Sequence, residues 1–398
     1  MAPHDQHSGG ATHAGGDSVQ ERGRRAPSAV VVFEPNFSGH RMDYVREVYE
    51  LARARGQRVY LASSSDAFRS EEFAMRFGAL QDSQLGRLDL GALRDISRSE
   101  YWTWLRRGLR GVTESVRPDR LVVLEGDKLL RRLWMWRIGG RVTVLVMRYG
   151  LRDLESWTDR AKALGKILLG GLCRARGHRV VALTPGESAS STAGWRFGVR
   201  RVPDPVRLRA SPTQISLYKE AMQMESGRHW FGVFGHIVRR KHTDMVARAV
   251  LSAGFPERCG LLIAGRFADG ELARCSEDLS ALSRSGAKVV VDDRLLPDAI
   301  LDAAIQSVGT VIVAYDTPGP SGILSKALAA GQAVLLAGDG IGDATAQRAS
   351  GLVQRAELSV AGLASGVVTS LDRGTVPGAG VRLTQDAPDP GQFAAGLL

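Results

Sequence analysis

Two short segments in the second half of this 398-residue chain carry residues suited to holding a phosphate. Gly235–His236–Ile237–Val238–Arg239–Arg240–Lys241–His242 follows directly on the apolar run Trp230–Phe234. Three adjacent cations, Arg239, Arg240 and Lys241, then stand at the carboxyl end of an expected strand, where open α/β sheets bind ligands. They suit a diphosphate, although on charge alone a solvated turn fits equally well. The second segment runs from Thr317 to Gly331, TPGPSGILSKALAAG. Ser321 is a good helix cap and Gly322 permits close backbone approach. The free N–H groups of Ser321, Gly322 and Ile323, at the positive end of a helix dipole, suit a phosphate. An ordinary capped helix is the plainer alternative. In the first half, Phe37–Ser38–Gly39–His40 opens a helix after the first strand, and His40 is placed to orient a hydroxyl or relay a proton near neutral pH. Glu125–Gly126–Asp127 follows another strand, where the Asp127 carboxylate suits a base and equally suits a helix cap. Arg148 closes a third strand in the same way. Gly338–Asp343 fails the dinucleotide fingerprint because Asp343 takes the third glycine position, so a nicotinamide cofactor is not expected.

The elements that must position these residues read as two α/β series. Ala29–Glu34 is a buried-strand run, Arg41–Gly56 has helical spacing with Tyr44, Val48 and Leu51 on one face, and Arg58–Ala62 is a second strand. Strands follow at Arg120–Leu124, Arg141–Met147 and Arg179–Leu183, with helices around 91–110, 128–138 and 157–174. Val202–Pro203–Asp204–Pro205 suits a domain exit. The second series places strands at Trp230–Phe234, Gly260–Ala264, Lys288–Val291, Gly309–Ala314 and Ala333–Leu336. Its helices are expected at Thr243–Ala253, Pro297–Gln306 and Gly322–Ala330, with the last ordered helix within 357–371. The expected division is a disordered tail at 1–27, a first domain at 28–205, a second at 206–372, and a Gly/Pro-rich tail at 373–398 that crosses back.

Composition sets the class. The chain is 44% hydrophobic and 24% charged, as in a soluble globular protein. It has no run of about 18 apolar residues and no signal-peptide pattern at its start. Cys173, Cys259 and Cys275 are scattered, which argues for a reducing compartment and against a disulfide framework or zinc site. The net charge of +11 lies entirely in residues 1–205, with 34 Lys+Arg against 23 Asp+Glu; residues 206–398 carry 19 of each. The halves therefore face different partners. Trp102–Arg110 and Leu130–Arg137 interleave aromatics with arginine, so residues 101–200 suit contact with an anionic membrane surface or acceptor. Helices packed by their apolar face are the simpler alternative. No nucleic-acid module is present, and nucleic acid is not expected as a partner.

GHIVRRK, LLIAGR, DDRLLPDAILDAA and VIVAYDTPGPSGILSKALAAGQAVLLAGDG, in that order and spacing, resemble the donor domain of GT-B glycosyltransferases of the family-four type. The resemblance runs from about Trp230 to Gly342 and more loosely over Val30–Ala62, Pro118–Asp127 and Pro203–Pro205. It implies two Rossmann-like, doubly wound parallel-sheet domains facing across a cleft. It implies transfer of a sugar from a nucleotide-diphosphate donor to a hydroxyl acceptor, such as a lipid-linked one or a cell-envelope glycan in polysaccharide biosynthesis, with retention at the anomeric carbon. It implies no metal and no cofactor, and fits a cytoplasmic protein at the inner face of a membrane. The family's phosphate-binding lysine falls on Lys241 and its arginine on His236, with Arg239 or Arg240 as substitutes. Gly235, Ser321, Gly322 and Ile323 complete the expected phosphate cradle. His40 and Asp127 take the catalytic positions, and Ser38, Gly39, Arg148 and Lys326 line the cleft. The family's two glutamates, eight residues apart, fall on Pro318 and Lys326. The second holds the nucleotide ribose, and an ammonium cannot accept those hydrogen bonds. A catalytically inactive GT-B scaffold that binds a glycan or a partner transferase, and a sugar-nucleotide epimerase, are the alternatives.

Overall fold

The computed structural model describes residues 28–37, 41–93, 96–136, 138–147, 157–184, 199–316, 321–338, 346, 349, 351–373 and 390–398. The first sheet contains β1 (Ala29–Phe33), β2 (Arg58–Ser63), β3 (Gly86–Asp89), β4 (Arg120–Val123), β5 (Val142–Val146), β6 (Arg179–Thr184) and β7 (Arg200–Pro203). Its order is β3-β2-β1-β4-β5-β6-β7. The second contains β8 (His229–Phe234), β9 (Cys259–Ala264), β10 (Lys288–Asp292), β11 (Thr310–Ala314), β12 (Ala333–Ala337) and β13 (Val353–Ala356), ordered β10-β9-β8-β11-β12-β13. Every strand pair is parallel. Parallel strands are covered on both faces, which is why the central ones are continuous apolar runs: all of β1, β5, β8, β9 and β11 is buried. In both sheets the order reverses between the first strand and its neighbour across the middle, at β1/β4 and at β8/β11. Ligands of doubly wound sheets bind at that point, outside the carboxyl ends of the strands.

The first domain's helices are α1 (Arg41–Ala54), α2 (Ser65–Phe68), α3 (Glu71–Phe77), α4 (Arg98–Val116), α5 (Gly126–Leu133) and α6 (Trp157–Ala175). Those associated with the second are α7 (Pro212–Ala221), α8 (Thr243–Ser252), α9 (Glu271–Arg284), α10 (Asp298–Ser307), α11 (Gly322–Ala329) and α12 (Val360–Asp372), and α13 (Pro390–Leu397) ends the chain. The expected helix at 91–110 begins later, at Arg98. There Ser97 accepts the Glu100 N–H and the Glu100 carboxylate accepts the Ser97 N–H. It also runs on to Val116, where Arg117 turns left-handed before Pro118. The helix expected at 128–138 starts at Gly126 and stops at Leu133.

The helix within 357–371 is not the last ordered one. Helix α13 returns to the first domain, with Phe393 5.0 Å from Tyr44 between ring centroids and Phe393, Ala394 and Leu397 in that domain's core. A Cβ on Gly396 would lie 2.1 Å from Val202 Cγ1, so the helix sits directly on β7.

Ion pairs join the two domains along one side. Arg76 of α3 reaches Asp298 of α10 at 3.4 Å, and Arg266 reaches Glu71 at 3.2 Å. Arg207 and Arg209, on the crossing segment, both bind Glu47 of α1, at 3.0 and 3.4 Å. No helix among the described residues is long and apolar enough to cross a membrane. Trp102, Trp104, Trp134 and Trp136 are half-buried. Trp102 meets Trp136 edge-on at 6.4 Å, and the Arg132 guanidinium lies 5.6 Å over Trp102. Packing within the domain therefore uses much of the aromatic surface that the interleaved pattern suggested would face outward.

Candidate functional site

At the second sheet's reversal point the two phosphate-type segments converge. Strand β8 ends at Phe234, and Gly235 turns the chain with φ +85°. The neighbouring strand β9 is followed by Gly265, φ +136°, where a Cβ would lie 2.0 Å from the Gly235 carbonyl oxygen. Only glycine permits this approach. Arg239–Lys241 forms a single 3-10 turn that swings back under Gly235. A Cβ on Gly235 would lie 3.3 Å from Lys241 Nζ and 3.4 Å from Ile323 Cδ1, so turn and helix tip meet at one residue. Ser321 accepts the Leu324 N–H at 3.3 Å and caps α11, as expected, leaving the first N–H groups of the helix pointing out of its end.

The three cations differ. Arg239 and Arg240 are exposed, and the Arg240 guanidinium lies 4.8 Å over the Tyr315 ring at the end of β11. Lys241 is 4% exposed, and its ammonium donates to the Phe234 carbonyl, 5.9 Å from the centre of the Tyr315 ring. Burial, with Arg240 beside it, pulls the Lys241 ammonium down to about 7. Among the described residues it is a desolvated cation without a carboxylate partner, which an arriving anion would return to the charged form. His236, the other cation position, is exposed and held below its usual range by partial burial and by Lys241. Tyr315 is buried at 7% exposure, and burial raises its hydroxyl against an opposing hydrogen bond with Ser321.

Lys326, one turn along α11, serves another purpose. Its ammonium lies 2.6 Å from Asp302 Oδ1, and Asp302, wholly buried on α10, also accepts the Arg209 N–H at 2.7 Å. The cavity beside it is lined from both domains, by Asp43 and Tyr44 of α1 and by Gly322, Ser325 and Lys326 of α11. The Lys326 ammonium is thus matched by a buried acid one helix away.

The first sheet's reversal point holds a cluster that the sequence reading passed over. Glu34 directly follows β1 and Glu125 stands two residues past β4, 0% and 6% exposed. Asn36 spans them: its N–H donates to Glu34 Oε1 at 3.0 Å and its side-chain amide to Glu125 Oε2 at 2.8 Å. One Arg41 nitrogen lies 3.2 Å from Glu34 and 3.8 Å from Glu125. The Tyr101 hydroxyl donates to Glu125 at 3.0 Å, and Lys128 pairs with it at 2.6 Å. Burial pushes the Glu34 carboxyl up to about 7; Arg41 opposes this and Glu125 adds to it. In the sequence Glu34 reads as the last residue of the strand run Ala29–Glu34. The available signal was an acid ending a wholly apolar run at the same sheet edge as Glu125.

Asp127 has both oxygens engaged. Oδ1 pairs with Lys166 at 2.6 Å and Oδ2 accepts the Met147 N–H at 2.7 Å, which ties α5 to α6 and to the end of β5. Ser38, Gly39, His40, Arg148 and Pro318 lie outside the described residues.

No protein-family model matches the chain, and no curated protein matches it in sequence. Solved structures do. A glycosyltransferase from Rickettsia africae superposes with a TM-score of 0.64 at 10% identity, over 93% of this chain and 97% of that one. WaaG, a glycosyltransferase involved in lipopolysaccharide biosynthesis, gives 0.57 at 12% identity over 92% and 94%. HepE of Anabaena, in complex with UDP-glucose, gives 0.57 at 12% identity over 93% and 94%. With both sheets ordered as they are, and with the likeness running nearly end to end, the chain has the GT-B architecture: two Rossmann-like domains facing one another.

Proposed function

We propose that the chain is a glycosyltransferase that moves a sugar from a nucleotide-diphosphate donor to a hydroxyl acceptor. The observation that carries this reading is the meeting of the Lys241 turn and the Ile323 helix tip at Gly235, on the reversal point of the second sheet. In this reading residues 206–372 are the donor half. Lys241, Arg239, Arg240 and the amides at Ser321, Gly322 and Ile323 stabilise the leaving diphosphate, the main electrostatic demand of such a transfer. No metal is assigned to that task. Residues 28–205 are the acceptor half, with His40 and the Glu34–Glu125 edge toward the acceptor and Ser38, Gly39 and Arg148 around it. Retention at the anomeric carbon and a cytoplasmic site of action, at the inner face of a membrane when the acceptor is lipid-linked, belong to the same proposal.

Calorimetric titration with a panel of nucleotide sugars tests it. At least one should bind, and Arg240→Ala should weaken that binding with no change in melting temperature. A chain that binds none of them, or an Arg240→Ala variant with unaltered affinity, overturns the donor assignment.

The Lys326–Asp302 pair favours a second reading, a GT-B scaffold without catalysis, because it puts an ammonium where the resemblance has a ribose acceptor. Transfer to any acceptor by the purified protein removes that reading. Product analysis without acceptor separates transfer from epimerisation.

A further inference from the structure

Helix α6 turns its apolar side outward. Among its described side chains the buried positions are Ala163, Gly170 and Cys173. On the opposite side Leu164, Leu168 and Leu172, one turn apart, are 51%, 66% and 39% exposed, and exposed Ala161 and Ala175 continue the row. A helix packed on a sheet ordinarily presents the reverse pattern. Met135, just past the end of α5 against which α6 packs, is 43% exposed. These four residues are half of the large apolar side chains exposed among the described residues.

The surroundings of the row are cationic. Residues 157–178 contain five Lys or Arg and one acid, Asp159. Arg160, Lys162, Arg174 and Arg176 are exposed, as are Arg131 and Arg132 on α5. An apolar row rimmed by cations suits an interface of acyl chains beneath anionic headgroups. A second copy of this chain is disfavoured, because two-fold pairing would set the same cations against one another. Helix α6 is also correctly placed. Lys166, between Leu164 and Leu168, pairs with Asp127, which holds the N–H of Met147 at the end of β5. The Leu164–Leu168 end of the row is therefore near the carboxyl edge of the first sheet, where Glu34 and Glu125 lie.

We propose that α6 lays Leu164, Leu168 and Leu172 into an anionic lipid bilayer surface, with the flanking arginines and lysines at the headgroups. This docking does not depend on the transferase reading. If both hold, the bilayer stands beside the acceptor edge, and the acceptor is presented at the membrane.

Flotation of the full chain with phosphatidylglycerol-rich and pure phosphatidylcholine vesicles tests the proposal. The protein should float with the first and not the second, and added salt should release it. Leu164→Glu/Leu168→Glu should lower partitioning by about tenfold or more. Leu217→Glu, at an exposed leucine of α7 outside this row, should float as the parent does. If the double variant is misfolded by circular dichroism, Leu168→Gln, at the most exposed position, takes its place. Failure of the parent to float with anionic vesicles overturns the proposal. So does undiminished flotation of a folded row variant. A parent that ignores lipid but dimerises through the row, with monomeric variants, would assign the face to a second copy instead.

Discussion

Affinity for a nucleotide sugar should fall as pH rises above 7, and Lys241→Met should abolish that fall. Lys241 is 4% exposed, and its ammonium titrates near 7 where an exposed lysine titrates at 10.5. A diphosphate against Gly235 and the α11 tip puts negative charge beside Nζ and returns the pKa toward its ordinary value. The bound state then holds a proton that the free state loses above pH 7, so binding takes up protons in that range. With the shift fully reversed, affinity drops about 15-fold between about pH 7 and 8.5, or ~1.6 kcal/mol. Proton uptake rises from about one half to about one over the same interval. Titration calorimetry in two buffers of different ionisation enthalpy reads both quantities. Lys241→Met should bind more weakly at pH 7, with a flat profile and no uptake from this site. A parent affinity constant from pH 7 to 8.5, or an unchanged slope in Lys241→Met, would refute the placement of Nζ at the diphosphate.

Three further outcomes follow from the same geometry. Glu34 has a raised folded-state pKa of about 7, so the cost of its ionisation is absent below the ordinary value of 4.5, grows between 4.5 and 7, and is complete above. Glu34→Gln should therefore flatten the fall in stability with rising pH, removing up to about 3 kcal/mol of it by urea denaturation; an unchanged pH profile would contradict this. Lys326→Met leaves the wholly buried Asp302 carboxylate without its cation and should cost about 3–5 kcal/mol, which adding Asp302→Asn should largely recover. Equal losses in the single and double variants would show that the pair is not coupled. Gly265→Ala, whose Cβ would meet the Gly235 carbonyl at 2.0 Å, should cost about 2 kcal/mol or more and weaken donor binding; a neutral melting temperature would show that the two turns are free to separate.

Much of the strand framework can be read along the chain, because a parallel strand covered on both faces needs a short continuous apolar run. Ala29–Phe33, Val142–Val146 and Thr310–Ala314 are such runs and lie within a residue or two of where they were expected. Elements with weaker local patterns were missed. Strand β3 alternates half-buried and exposed residues at a sheet edge, and α9 exposes most of its length. Helix α13 holds only Phe393 and Leu397 as large apolar anchors, amid Pro and Gly, and is made by its packing on Tyr44 and β7.

The site divides in the same way. The cationic turn and the capped helix are local motifs, so GHIVRRK and PSGILSK could be recognised where they stand. Residue type and order decided that each half would be a wound α/β unit, and that phosphate-type segments would follow the strands of the second. The folded chain alone decided that Lys241 is enclosed while Arg239 and Arg240 stay exposed, and that Lys326 is answered by Asp302. It also brought Glu34 and Glu125, 91 positions apart in the sequence, onto one arginine. Side-chain type is written in the sequence, but a group's charge state and partners depend on what surrounds it in space, and parallel crossovers bring together strand ends from distant parts of the chain.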